Sequence, residues 1–365
     1  MNTVSGVRLR QGEVTAVCSD GPALQELVVT TGGQRARAVN YSDLGGRVAV
    51  GDRVLLNTTA MALGLGTGGV HFVVARCDQD DTELAGPGHA MKVRYTPVQV
   101  CCQVAEEPGG PGHRVLRRRW RLDGMPVVAA ELHSQVPVVL AGIRSSLPGA
   151  RLAYVFSDGG ALPVAFSRLV PAMKRAGLVD VVIAAGQAFG GDLEAVNVPS
   201  ALAVARHVVG CAAAVVAMGP GQLGTGTKLG FSGLEQADHL NRAAALGGVP
   251  VTVLRLSGAD PRPRHRGVSH HSLTVLQLAL STCLVPYPRE LAGARQPYAE
   301  LSFVGVQNRH RLVTAAGSPA LEYLARAGLQ VTSMGRSPQA DPWFFLAAGA
   351  AGKVAARVAR LLAER

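Results

Sequence analysis

Lysine is almost missing from this chain. Four occur, at positions 92, 174, 228 and 353, so arginine supplies nearly all of the 36 basic residues. Arginine's planar fork suits bidentate contact with carboxylate or phosphate. Aromatic residues make up only 4% of the chain, few for the stacking platforms on which single-stranded nucleic acid is held. Charged residues are also scarce, at 17%, which makes any polar cluster informative. The six cysteines contain no CxxC, and Cys101-Cys102 is the one adjacent pair. That pattern argues against a disulfide framework, and reduced thiols in the cytoplasm are the expectation. The longest uncharged apolar stretch, Val208 to Met218, is too short to span a bilayer. Met1 to Arg10 lacks the apolar segment of a signal peptide. No membrane association is expected.

What is present points to two domains. A chain of 365 residues with 48% apolar content exceeds one ordinary core. The net charge of +11 is unevenly spread: residues 1–82 hold 7 Lys+Arg against 8 Asp+Glu, residues 83–150 hold 8 against 5, and residues 151–365 hold 21 against 12. The excess lies in the C-terminal part, where a small anionic molecule fits it as well as a polynucleotide does. Arg117-Arg-Arg-Trp-Arg121 is the one basic cluster with an aromatic inside it. A solvated face explains it more simply than nucleic-acid contact.

The hydrophobic periodicity predicts a small β-barrel or barrel-sandwich domain over residues 1–80, a β-rich connecting segment over 81–148, and a doubly wound, mostly parallel α/β domain over 149–365. Short alternating strands mark the first part, at Val7–Val17, Leu24–Thr30, Arg35–Tyr41 and Val48–Leu56. Gly64 to Gly69 reads as a strand connection. In the middle, Tyr95–Val104 and Met125–Leu132 have strand character. From Arg151, buried strands alternate with helices. The strands are expected at Arg151–Phe156, Val179–Ala184, Ala212–Met218, Val251–Leu256, Arg311–Ala315 and Leu329–Thr332. Helices are expected near Leu162–Ala176, Pro199–Val209, Leu234–Leu246, Val268–Thr282, Pro319–Arg326 and Pro342–Leu362. Ser232-Gly-Leu-Glu235 has the form of a capping box, and Ser318-Pro319 and Asp341-Pro342 place a cap before a first-turn proline.

Four strand-to-helix loops carry candidate chemistry. In Ser157-Asp-Gly-Gly-Ala-Leu-Pro163, Asp158 stands where a base, metal ligand or hydroxyl acceptor would stand, with Gly159 and Gly160 beside it. It could equally cap the following helix. In Gly186 to Asn197, Asp192 and Glu194 are two apart, after Gly190 and Gly191. In extended chain they would share a face and suit acid–base work or a hard cation. As first-turn helix acids they would look the same. In Gly219 to Gly230, Gly221 and Gly226 have P-loop spacing, but Thr227 precedes Lys228, so this is not a Walker A loop. Gly224, Gly226 and their neighbours could still offer N–H groups to an anion, with Lys228 as a point charge. Glu235 and His239 share a helix face at i, i+4, although the capping box already accounts for Glu235.

The fourth loop is the densest. Asp260-Pro-Arg-Pro-Arg-His-Arg-Gly-Val-Ser-His-His-Ser272 puts three histidines, three arginines, an aspartate and two serines into thirteen residues. It follows an apolar run, at the strand end where open α/β sheets bind ligands. Arg262, Arg264 and Arg266 would clamp an anion, while His265, His270 or Asp158 moves a proton. Adjacent His270 and His271 point about 100° apart on a helix, so at most one should face the same site as His265. No standard zinc spacing accompanies them. A divalent metal is allowed, with His265, His270 and Asp158 as its ligands. No nicotinamide or flavin is expected, because no GxGxxG fingerprint occurs. Nothing in the sequence fixes an oligomeric state.

Several strings together resemble the bacterial family called domain of unknown function 3866. They are Gly51-Asp-Arg-Val-Leu-Leu-Asn-Thr-Thr59, Leu63-Gly-Leu-Gly-Thr-Gly-Gly69, Gly88-His-Ala-Met-Lys-Val-Arg-Tyr-Thr-Pro97, Ser157–Pro163, Ala188–Asn197, Leu229–Gln236 and Asp260–His271. The resemblance runs from about residue 6 to residue 352. It implies a bacterial, single-chain protein of this size and brings no reaction, cofactor or catalytic residue. The residues themselves favour a hydrolase or group transferase acting on an anionic small molecule, phosphorylated ones included. The competing reading is a non-catalytic sensor or scaffold that binds a metabolite. Asp158, Asp192, Glu194, Lys228 and His265–His271 are expected to converge along one sheet edge.

Overall fold

The structure, a computed structural model, describes residues 6–65, 68–78, 81, 83, 86–293 and 309–364. It divides into two compact units, Met1–Cys102 and Gln103–Arg365. The Gly64–Gly69 connection falls partly outside the described residues.

In the first unit, β1 (Leu9–Asp20), β2 (Leu24–Thr31), β3 (Gln34–Tyr41), β4 (Arg53–Asn57) and β5 (His71–Arg76) close a barrel in the order β1-β2-β3-β5-β4. The β3–β5 pair is parallel and the others antiparallel, the connectivity of an OB-type barrel. Strand β1 pairs with β4 over Leu9–Glu13 and with β2 over Glu13–Asp20, and its irregular register with β2 lets it bend between the two. Gly12 sits at this bend, where a Cβ would lie 2.7 Å from Leu56 Cδ1. Alternation along the strands delivers Val14, Leu27, Val29, Ala38, Val54 and Leu56 to the interior. Buried Gln25 ties the short helix α1 (Ser42–Gly45) and its following loop to the barrel. Its Oε1 accepts from Asn40 Nδ2 and from Val48 N, each at 2.9 Å. A short helix, α2 (Thr59–Ala62), lies between β4 and β5 in sequence. A separate antiparallel pair, β6 (Ala90–Lys92) and β7 (Val100–Cys102), follows, and α3 (His113–Leu116) comes early in the second unit.

The second unit is built on eight strands: β8 (Pro126–Ala129), β9 (Leu152–Ser157), β10 (Val181–Ala185), β11 (Leu193–Ala195), β12 (Ala213–Met218), β13 (Val249–Thr252), β16 (Leu284–Pro288) and β17 (Arg311–Ala315). They form one parallel sheet in the order β11-β10-β9-β12-β8-β13-β16-β17. β9, β10 and β12 are buried at every residue, as strands covered on both faces must be. Leu152, Tyr154 and Phe156 of β9 point to one face, beneath α4 (Val136–Arg144), α5 (Leu169–Arg175), α9 (Ser318–Arg326) and α10 (Pro342–Ala363). Ala153 and Val155 point to the other, beneath α6 (Val198–Val204). Further along that second face lie α7 (Glu235–Ala245) and α8 (His270–Leu278).

Helices α4 and α10 cross at backbone contact. A Cβ on Gly142 would stand 2.6 Å from Gly349 O, and one on Gly352 would overlap Val139 O. None of the helices is long and apolar enough to cross a membrane, among the described residues.

Several expected elements differ. The strand foreseen at Met125–Leu132 is β8, and it lies in the interior of the sheet rather than in a connecting segment. Helix α4 was not foreseen, because Val-Pro-Val-Val-Leu-Ala-Gly-Ile-Arg is buried at all nine positions and has no polar face to set a period. Strand β16 carries Pro286 and Pro288, which argue against a strand when read alone. Leu329–Thr332 is not a strand. The chain there runs into the turn Ser333–Arg336, with Met334 and Gly335 at positive φ. The Val251–Leu256 run splits into β13 and a two-residue strand, β14 (Leu256–Ser257), which pairs with β15 (Gly267–Val268). The capping box does not form: Ser232 Oγ accepts from Leu223 N, while Glu235 turns toward the sheet.

Candidate functional site

The strand order reverses at the middle of the sheet. From β8 the chain moves outward through β9, β10 and β11, returns to lay β12 between β9 and β8, then crosses to β13, β16 and β17. The carboxyl ends of β9, β12, β8 and β13 therefore face the crevice where such sheets bind ligands. Two residues past β8 stands Glu131, wholly buried. Its Oε1 accepts from His271 Nδ1 at 2.6 Å, from Gln222 Nε2 at 2.6 Å and from Arg255 Nη1 at 3.0 Å. Gln222 comes from the loop after β12 and Arg255 from the segment after β13. The other carboxylate oxygen, Oε2, is buried and has no hydrogen-bond partner among the described residues.

The dense polar stretch is the connection between β14 and β15. Their pairing, Leu256 with Val268 and Ser257 with Gly267, folds it back on itself. Ser269 then caps α8, its Oγ accepting from His271 N, and Ser269 N donates to Arg255 O at 2.9 Å. Ser272 Oγ accepts from Arg255 N at 2.8 Å. The start of α8 is thereby fixed to the Arg255 backbone.

Buried Asp260 receives Arg262 in a two-pronged contact, Nε at 2.9 Å and Nη2 at 2.8 Å, and Arg336 Nη2 at 3.1 Å. Arg336 Nε also reaches Asp341 Oδ2 at 3.1 Å, and Asp341 accepts from Ser257 Oγ at 2.6 Å. Three guanidinium groups and three carboxylates thus form one largely buried, charge-balanced network. The Met334 thioether accepts from Arg255 Nη2 and Arg262 Nη2.

Burial pushes the Glu131 carboxyl up, but the His271 hydrogen bond, the Arg255 charge and the Gln222 amide outweigh it and hold the group at about 2. The same contest at Asp260, won by Arg262 and Arg336, leaves it well below the usual carboxylate range. Both groups are ionised at neutral pH, so each accepts hydrogen bonds and neither is an effective base. His265 is depressed to about 3 by burial and by the charges of Arg255 and Arg262. His270 is depressed by burial, His271 and Arg264. Both rings are therefore neutral, and each can accept a hydrogen bond or bind a metal.

The three imidazoles come together. Their ligating nitrogens lie within 4.8 Å of one another, and their ring centroids are 4.4 to 5.1 Å apart. This differs from the expectation that only one of His270 and His271 would face His265. Both belong to the first turn of α8, where the β14–β15 connection folds back over the helix start and brings His265 against both. Phe231 stacks on His271 with centroids 3.7 Å apart and planes within 2°. Gly224 also approaches this ring, since a Cβ there would be 3.9 Å from His271 Cε1.

The remaining foreseen residues scatter. Asp158 is exposed at the end of β9, its Oδ2 accepting from Gln187 N at 2.8 Å; among the described residues no hydrogen bond or ion pair joins it to the histidines. Gly159 underlies the Glu235 carboxylate and Gly160 packs on Gly219 O. Asp192 lies on the outer side of the sheet, before β11, paired with Lys174 and accepting from Val182 N. Glu194 Oε1 already takes the N–H groups of Gly190 and Gly191, at 2.8 and 2.9 Å, so those donors do not face a ligand. Gly226 turns an exposed loop at positive φ. Arg264, Arg266 and Lys228 are exposed and form no ion pair among the described residues.

The sequence reading passes over Glu131, Gln222, Arg255 and Arg336, and takes Asp341 only as a helix cap, whereas its side chain makes no capping hydrogen bond. An acid and an arginine embedded in apolar runs, Ala130-Glu131-Leu132 and Val253-Leu-Arg255-Leu256, were the available signal. A second group of polar residues stands at the end of β9, where Glu235 Oε1 accepts from Ser157 Oγ at 2.5 Å and lies 3.3 Å from His239 Nε2. The cluster Arg117–Arg121 lies elsewhere: Arg117 and Trp120 line a cleft of about 350 Å³ with Leu116, Pro199 and Leu246.

A family model described as "Protein of unknown function (DUF3866)" matches residues 37–352. No curated protein and no solved structure matches the chain.

Proposed function

We propose, for a chain that belongs to the DUF3866 family and takes no activity from it, a hydrolase or group transferase acting on an anionic small molecule. Phosphorylated compounds are included. One observation carries the reading: Glu131 is ionised and wholly buried, with one oxygen taking three donors and the other without a partner among the described residues. A partnerless buried carboxylate oxygen costs free energy unless a ligand donor meets it. Nor do the ion pairs around it repay their burial as stability, since apolar residues of the same size hold a core as well. Such networks at a strand-order switch are functional-site candidates.

In this reading a hydroxyl, amine or water of the substrate donates to Glu131 Oε2. Beside it the neutral rings of His265 and His270 offer lone pairs to the substrate or to a metal. His265, held at about 3, and Glu131, at about 2, are both too weakly basic to keep the proton at neutral pH, so they bind and orient the reacting group. Arg264 and Arg266, exposed and without carboxylate partners among the described residues, attract the anionic part at the rim. Six free cysteines agree with a reducing, cytoplasmic setting.

The test is a turnover panel of phosphomonoesters, phosphoanhydrides and amides, run beside thermal-shift screening of anionic metabolites. Glu131→Gln should lower kcat by at least a hundredfold, and Arg264→Ala with Arg266→Ala should raise KM. A metabolite that stabilises the protein, loses affinity in these variants and is never turned over would establish the sensor reading instead.

A further inference from the structure

We infer that His265, His270 and His271 form a binding site for one first-row divalent transition metal, of the zinc class, with Glu131 as the carboxylate that orients it. The sequence reading had placed Asp158 in such a set; the geometry replaces it with His271.

Three imidazoles with ligating atoms within 4.8 Å of one another are the donor set of a catalytic zinc site, which keeps its fourth position open. Nδ1 of His271 is held by Glu131 Oε1 at 2.6 Å and Nδ1 of His265 by Ser269 Oγ at 2.8 Å. That leaves Nε2 as the ligating atom of each ring. An ionised carboxylate on the far nitrogen of a histidine is the outer-shell arrangement that fixes tautomer and raises ligand basicity. His270 Nε2 is buried with no hydrogen-bond partner among the described residues, an imidazole lone pair open to a metal beside two others. A tetrahedral zinc with bonds of about 2.0–2.1 Å needs nitrogens about 3.3 Å apart. The rings must therefore close by about 1.5 Å. Phe231 and Glu131 hold His271, so this closing would fall to the side chains of His265 and His270.

The surrounding charges fit. Three arginines balance three carboxylates, so a divalent ion would leave the site with a net positive charge and an open position for an anion. Metal binding is measured directly, and the inference stands or falls apart from any turnover.

The experiment uses the full chain purified without chelators, loaded with Zn²⁺ or Co²⁺ and followed by equilibrium competition against a chromophoric chelator and by visible absorption. One metal per chain is expected, with the d–d bands of tetrahedral cobalt and no thiolate charge-transfer band. His265→Gln and His270→Gln should each weaken binding at least a hundredfold. Glu131→Gln should retain one site with affinity reduced about 10- to 100-fold. His113→Gln, whose ring bonds Glu106 O elsewhere in the fold, should bind like the parent. Tryptophan fluorescence of each apo variant reports that it is folded. No stoichiometric binding by the parent would overturn the inference. Binding untouched by His265→Gln and His270→Gln would do the same, as would a thiolate band pointing to Cys101 and Cys102.

Discussion

Replacing Glu131 by alanine should destabilise the α/β unit far more than replacing Glu131 and Arg255 together by apolar residues. The Arg255 side chain is 3% exposed and Glu131 is fully buried, 3.0 Å away. After Glu131→Ala, the nearest carboxylate to Arg255 is Asp260 at 3.8 Å, already shared with Arg262 and Arg336. His271 Nδ1 and the Gln222 amide lose their acceptor as well. Breaking one side of a buried ion pair costs about 3–5 kcal/mol. For a unit of this size that lowers the melting midpoint by roughly 10 °C. The pair Glu131→Leu with Arg255→Met removes both charges and refills the volume, and should return to within about 1–2 kcal/mol of the parent. Trp120 and Trp343 are the two tryptophans of the chain and both belong to this unit, so tryptophan fluorescence during urea unfolding reads it without the barrel. Equal losses in the single and double variants would refute the reasoning, because the charges would then be holding the fold. A single-variant loss below about 1 kcal/mol would also refute it, since Arg255 would not depend on this carboxylate.

The fully packed network around His133 gives a pH prediction. Its ring lies between Tyr154 OH at 2.9 Å and Ser167 Oγ at 2.6 Å, and burial depresses it to about 4. An unfolded chain takes that proton near pH 6.5, so the contribution is complete above 6.5 and is lost as pH falls toward 4. It amounts to about 3 kcal/mol, and His133→Gln should flatten the fall in urea midpoint over this window by a comparable amount. Gly352→Leu should abolish the α4–α10 crossing, costing at least about 3 kcal/mol by urea titration, whereas Gly149→Ala, with open space around its Cβ, should change stability little. Asp192→Asn should cost about 1 kcal/mol and leave cobalt binding and any turnover unchanged, as a residue outside the site must.

Which parts of this were legible in the sequence follows from which residues announce themselves locally. Strands such as Val181–Ala185 and Ala213–Met218 are unbroken apolar runs between helix signals, and their pattern needs no neighbours to interpret. The stretch Asp260–Ser272 stood out because charge is scarce around it, and three of its histidines do meet. Its partners were harder to see. Glu131 sits in a segment that reads as an irregular connection until β8 is known to lie between β12 and β13. Arg255 looks like an interruption in a strand. Gln222 was hidden inside a glycine loop whose phosphate-binding look drew attention to Lys228 instead. Convergence depends on strand order, which no local pattern encodes. For the same reason the Asp192–Glu194 spacing was misleading: two carboxylates can share a face in extended chain and still each serve the nearest backbone N–H groups.

The parallel stack of Phe231 on His271 has a spectroscopic consequence. With centroids 3.7 Å apart, the imidazole protons of His271 fall within the shielding cone of the phenyl ring. Their resonances should therefore move upfield of those of the other nine histidines. That displacement would pick out a single ring in a protein of this size without assignment of the rest. The same signal would report, from inside the crevice, when a ligand or an ion arrives.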